Sequence, residues 1–135
     1  MADDLNWSPT LSVGVATLDR QHQVLLRLTR EMVRAAEGGR EPEVVEALFA
    51  GLLAFTREHF HDEERLLEAS AFPGLDAHRA VHQELLAKAD DFHARFRQGA
   101  VDAAGFGLFF VGWVLLHIRH EDQAYTSHLR AAGIA

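Results

Sequence analysis

Residues 45–66 read VEALFAGLLAFTREHFHDEERL, and the phase of that stretch decides the fold. Val45, Leu48, Leu52, Phe55, His59, Glu63 and Leu66 recur by threes and fours, the period that gathers side chains on one face of an α-helix. An imidazole and a carboxylate therefore lie in line with the apolar side chains on the face predicted to turn inward. Pro42 stands near the start, where its missing N–H costs nothing, and Ala71-Phe72-Pro73-Gly74 ends the pattern.

The same period recurs on both sides. Leu18, His22, Leu25, Leu26, Met32, Val33 and Ala36 form a stripe that stops at Gly38-Gly39. A third stripe runs His78, His82, Leu85, Ala89, Phe92 and Phe96 to Gln98-Gly99, and a fourth runs Phe106, Phe110, Trp113 and His117 towards Leu129. Helices of about 20 to 28 residues, or about 30 to 42 Å, joined by short breaks favour antiparallel neighbours. The prediction is an all-α, up-down-up-down four-helix bundle over residues 17–131. Residues 1–16, with Trp7, Pro9, Val13, Gly14 and Val15, show no helical period and read as an extended N-terminal arm laid across it.

Bulk composition narrows the function. With 135 residues, 48% of them hydrophobic, the chain fits a single domain spanning 1–135. Thirteen Lys and Arg against 20 Asp and Glu give a net charge of -7 with no basic run, which argues against nucleic acid as a partner. No apolar stretch reads as the roughly 20-residue span a membrane needs, and Met1-Ala2-Asp3-Asp4 does not resemble a signal peptide. The expectation is a cytoplasmic protein without a membrane span. Cysteine is absent, so thiolate metal sites and cysteine nucleophiles are excluded. A metal would have to be held by nitrogen and oxygen.

The inward stripes supply both. His59/Glu63 and His78/His82 are spaced i, i+4, which places each pair on one helix face a turn apart. His22 and His117 join them from the other two helices. A lone inward histidine is more often a hydrogen-bonded core residue than a ligand. Several inward histidines and acids on four helices are a different matter, because buried unpaired polar groups cost about 1 to 3 kcal/mol each and charged ones more. A metal centre compensates them all at once. The remaining histidines, His61, His93, His120 and His128, read as solvated or partner-facing. After His117 an acid stands at both i+4 and i+5, Glu121 and Asp122. A regular helix separates i from i+5 by about 140°, so spacing by itself favours Glu121.

The chain resembles the bacterial hemerythrins. The resemblance runs from Trp7 and Val13-Gly14-Val15 through Asp19-Arg20-Gln21-His22, His59-Phe60-His61-Asp62-Glu63-Glu64 and His78-Arg79-Ala80-Val81-His82 to Trp113-Val114-Leu115-Leu116-His117-Ile118-Arg119-His120-Glu121-Asp122. It implies a non-haem di-iron centre with an oxo or hydroxo bridge between two iron ions (Fe2+/Fe3+). His78, His82 and His117 would hold one iron and His22 and His59 the other, with Glu63 and Asp122 bridging. The family's His-x-x-x-x-Asp spacing chooses Asp122 over Glu121, and a local widening of the helix over 117–122, such as a π-bulge, would bring i and i+5 onto one face. The resemblance also implies an O2 pocket lined by Leu25, Phe60, Trp113 and Ile118. Helical arithmetic agrees for Leu25, three after His22, and Trp113, four before His117. Gly112 would allow close helix approach beside Trp113.

The implied function is reversible O2 binding for storage, transport and delivery, or sensing. Azide or a similar small anion would take the same position in the ferric form, and a protein recipient of O2 is conceivable. The alternative is a di-iron enzyme or detoxification protein acting on O2, peroxide or nitric oxide, or an iron-handling protein. Ferritin-like di-iron proteins use more carboxylates than histidines; five histidines to two acids favours binding over catalysis, so no enzymatic activity is expected.

Overall fold

The structure, a computed structural model, describes residues 7–100 and 102–135. Four long helices account for most of it: α1 (Ala16–Glu37), α2 (Pro42–Ala69), α3 (Leu75–Arg97) and α4 (Ala103–Leu116). The fourth stripe is not one continuous α-helix. After Leu116 it widens into a π turn, His117–Asp122, tightens into a 3-10 turn, Gln123–Tyr125, and ends in α5 (Thr126–Ala131). Chain-consecutive helices are neighbours and α4 closes the ring against α1. The candidate ligand histidines of α1 and α3 lie in their first halves, and those of α2 and the α4 segment in their second halves. Only antiparallel packing brings these four positions to one end of the bundle.

The opposite end is apolar and aromatic. Phe49 and Phe106 are fully buried; Phe49 stacks on Phe106 at 4.5 Å between ring centres and Phe92 meets Phe106 at 5.4 Å. The axis of the α2 stripe lies one residue away from the predicted one. Phe49, Leu52, Leu53, Thr56, His59, Phe60, Glu63 and Leu67 are buried, while Leu48, Phe55 and Leu66 are half-buried flanks. A helix touching neighbours on two sides buries a wider arc than a single stripe.

Gly107 is where α4 meets α1. A Cβ there would stand 2.1 Å from Val33 Cγ2, whereas nothing lies within 4 Å of one at Gly112. The close approach expected at Gly112 is made five residues earlier. Ala103–Ala131 is long and apolar enough, by length and composition, to cross a membrane, contrary to the sequence reading. In the bundle it is an inward element, with Phe106, Phe110, Val114, His117 and Asp122 buried.

The described part of the arm, from Trp7, packs on the bundle, and residues 1–6 lie outside the described residues. Pro9–Leu11 form a 3-10 turn rather than extended chain, and Leu11, Val13 and Val15 are buried. Asp19, in the first turn of α1, accepts from the Val13 N–H at 2.8 Å and the Ser12 hydroxyl at 2.6 Å. Gly14 takes φ +76 within this loop, a left-handed conformation suited to glycine. Gln123 Nε2 donates to the Ser12 carbonyl at 2.8 Å, so the arm is fastened to the segment just after the π turn.

Candidate metal centre

The seven residues singled out as ligands lie together in the core, His22, His59, Glu63, His78, His82, His117 and Asp122 each at most 5% exposed. Their ligand atoms form two groups sharing Glu63: one joins it to His78, His82, His117 and Asp122, the other to His22 and His59. Within each group the atoms lie within 4.8 Å of one another. Metal–N and metal–O bonds of about 2.0 to 2.2 Å would put opposed ligand atoms about 4.0 to 4.4 Å apart.

The carboxylates straddle the groups. Glu63 Oε1 stands 2.6 Å from His78 Nε2 and 3.1 Å from His82 Nε2, and its Oε2 stands 3.4 Å from His59 Nε2 and 3.8 Å from His22 Nε2. Asp122 repeats the division. Its Oδ1 lies 3.0 Å from His117 Nε2 and 3.1 Å from His78 Nε2, and its Oδ2 lies 3.3 Å from His22 Nε2. Each acid thus turns one oxygen to histidines of the three-histidine group and the other to the two-histidine group. The π turn positions Asp122, and Glu121 and His120 remain exposed.

The donors fit metal ions better than they fit one another. Both Asp122 oxygens and His22 Nε2 are buried without a hydrogen-bond partner, and His82 Nε2 faces His117 Nε2 at 3.2 Å. Buried acceptors left this way are costly, and cations between them would remove the cost. Protons partly serve in their place. Burial pulls the His22 and His78 pKa values down, but the contacts and charges of Asp122 and Glu63 outweigh it and raise them to about 9 and about 10. At His59 burial wins over Glu63 and the pKa falls. Burial pushes the two acids upward, yet the surrounding histidines hold Glu63 and Asp122 well below the usual carboxylate range.

Partners that sequence reasoning did not find surround these groups. His59 Nδ1 donates to Gln21 Oε1 at 2.7 Å and His82 Nδ1 to Glu64 Oε2 at 2.7 Å. Tyr125, fully buried, donates its hydroxyl to Glu63 Oε2 at 3.1 Å; burial and the nearby acids push its own pKa well above 10. Phe60 lies flat on His82 with ring centres 3.7 Å apart, and Trp113 stacks on His117 at 4.4 Å. These stacks fix the ring planes of two histidines.

A cavity of about 10 Å³ adjoins the cluster, lined by Leu25, Thr56, Phe60, Phe110, Trp113, Val114 and Ile118, with His22, His59, His117 and Asp122 at its polar side. The four expected pocket residues are all among them; Thr56, Phe110 and Val114 are additional. Thr56 donates its hydroxyl proton to the Leu52 carbonyl at 2.7 Å, so it offers the cavity no donor. His93 and His128 are not simply solvated: both are half-buried, His93 Nε2 bonding Glu46 at 2.8 Å and His128 Nε2 donating to the Ser70 carbonyl at 2.7 Å. His61 and His120 are exposed.

A four-helix bundle with a buried, histidine-rich site for two metal ions is the class that fold and site define. Residues 13–129 match the family described as hemerythrin HHE cation binding domain, and the chain belongs to the hemerythrin family. It is 26% identical to a bacteriohemerythrin of Stenotrophomonas maltophilia (strain R551-3), over 94% of this chain and 82% of that one. A bacteriohemerythrin of Ralstonia nicotianae (strain ATCC BAA-1114 / GMI1000) is 30% identical over 96% and 91%. In fold the chain is similar to a crystal structure of wild-type hemerythrin, with a TM-score of 0.86 at 21% identity, over 92% of this chain and 96% of that one.

Proposed function

We propose that this protein binds O2 reversibly at a di-iron centre, with His78, His82 and His117 on one iron, His22 and His59 on the other, and Glu63 and Asp122 bridging. One observation carries the reading: the cavity touches both histidines of the two-histidine group, His22 and His59, but of the other three only His117. The space for a small ligand thus opens on the half that has fewer protein donors. Two irons held by these residues would supply the electrons for reversible binding of a small diatomic ligand.

The chain's own residues provide the surroundings that holding a ligand unchanged requires. Leu25, Phe110, Val114 and Ile118 are buried aliphatic and aromatic walls, and they keep bulk water and mobile acids away. Tyr125 donates its hydroxyl hydrogen bond to Glu63 Oε2, steadying that carboxylate without entering the cavity, whose lining it does not join. Five histidines against two carboxylates, beside a cavity whose Thr56 hydroxyl is turned to the Leu52 carbonyl, favour binding over catalysis. A cytoplasmic location, a 1–135 single domain, azide as a ferric ligand and a role in storage, delivery or sensing belong to the same proposal.

The test is optical. The anaerobic ferrous protein is exposed to O2 and then degassed through repeated cycles. A visible band that rises with O2 and vanishes on degassing is the expected result, and direct conversion to a ferric form with no reversible stage overturns the reading. Metal analysis should give about two irons per chain.

A further inference from the structure

One histidine of each group has a side-chain acceptor behind its Nδ1, and the two acceptors differ in charge. His82 Nδ1 donates to the carboxylate of Glu64, whereas His59 Nδ1 donates to the amide oxygen of Gln21. Gln21 Nε2 in turn donates to Asp62 Oδ2 at 2.8 Å. A carboxylate accepts only, so Asp62 decides which way round the Gln21 amide sits. The amide oxygen then faces His59, Nδ1 must carry the proton, and Nε2 keeps its lone pair for the cluster. The relay also joins α1 to α2 beside one candidate ligand from each, since Gln21 precedes His22 and Asp62 precedes Glu63.

We propose that Gln21 is the positioning residue of the two-histidine half, and that its neutral amide, where the other half has the Glu64 carboxylate, makes this half the first to release its metal ion. A charged acceptor raises the basicity of the imidazole it holds, and a neutral one does so less. The amide still sets tautomer and ring angle. Gln21 and Asp62 are both half-buried, so the relay holds its geometry without being sealed from solvent. The inference rests on the dinuclear reading above.

The test loads the full chain anaerobically with Fe2+ and follows its transfer to an excess of a ferrous chelator. Two phases of release are expected in the native protein. Gln21→Ala should speed the first phase by about 10- to 100-fold, the usual effect of losing an outer hydrogen-bond partner, and leave the second unchanged. In the metal-free protein, 15N NMR should show His59 protonated at Nδ1, and a mixture of tautomers in Gln21→Ala. The reciprocal exchange Gln21→Glu with Asp62→Asn keeps both hydrogen bonds and turns a carboxylate to His59; it should slow the first phase below the native rate. A first phase unaltered by Gln21→Ala overturns the proposal, as does an unaltered tautomer or an exchange variant that releases iron no more slowly than native. Should the native chain never hold two ions, the dinuclear reading fails, whatever Gln21 does.

Discussion

His117 and Asp122 are five residues apart in sequence, yet His117 Nε2 and Asp122 Oδ1 meet at 3.0 Å. The π turn over His117–Asp122 produces the contact. A regular helix would rotate the acid about 140° away from the histidine, and at position 121 it would have brought Glu121 to the core instead. Widening this single turn sends Glu121 to solvent and Asp122 to full burial.

Truncating the two acids should therefore have opposite consequences. Glu121→Ala should keep about two irons and change stability by no more than about 0.5 kcal/mol, as for other exposed positions. Asp122→Ala removes the oxygen facing His117 and His78 and the one facing His22, and should lower the iron content measured by elemental analysis. Equal iron in both variants would remove Asp122 from the ligand set.

The same turn marks the limit of what the sequence discloses. His22, His59, Glu63, His78, His82 and His117 were legible because each lies in phase with apolar neighbours, whereas Asp122 is out of phase with a regular helix and needed the family's spacing. Gln21 and Glu64 escaped notice because each meets its histidine across two helices, a pairing no single-helix period contains. Expecting the close approach at Gly112, where the structure has it at Gly107, had a related cause. Residues 103–116 carry no charge, and a helix apolar all round gives no phase to say which glycine faces its neighbour. His93 and His128 read as solvated because one-residue patterns say nothing about Glu46 or the Ser70 carbonyl.

Iron loading should release protons. With pKa values of about 9 and about 10, His22 and His78 are protonated at pH 7 in the metal-free protein, and both must become neutral to act as ligands. An indicator in weak buffer should report their protons on titration with Fe2+, with uptake tightening as pH rises. The sign for stability is the reverse. A folded pKa raised above about 6.5 contributes stability that is complete below that value and lost as pH rises through the folded pKa. The melting temperature of the metal-free protein should accordingly fall from neutral pH towards pH 10, and a flat profile would contradict the paired histidines.

The two glycines of α4 give a packing test. Gly107→Ala forces Val33 or the α1 backbone to move and should cost about 1 to 3 kcal/mol, the range for overpacking a filled core. Gly112→Ala meets open space and should be neutral or stabilising by up to about 1 kcal/mol through helix propensity. Thermal unfolding of the two variants distinguishes them, and equal melting temperatures would show that α1 and α4 do not meet at Gly107.

Leu25→Phe separates holding iron from holding a small ligand. Leu25 is 2% exposed and lines the cavity beside His22, and a cavity of about 10 Å³ leaves space for about one water-sized molecule. A phenyl ring cannot enter without taking that space. All seven candidate ligands are untouched by the change, so iron content should stay at about two per chain. O2 uptake by the ferrous form and azide binding by the ferric form, both followed optically, should weaken together because both ligands need the same space. If iron were retained with ligand binding undiminished, the small ligand would have to bind elsewhere, and the two-histidine side would lose its role as the open half.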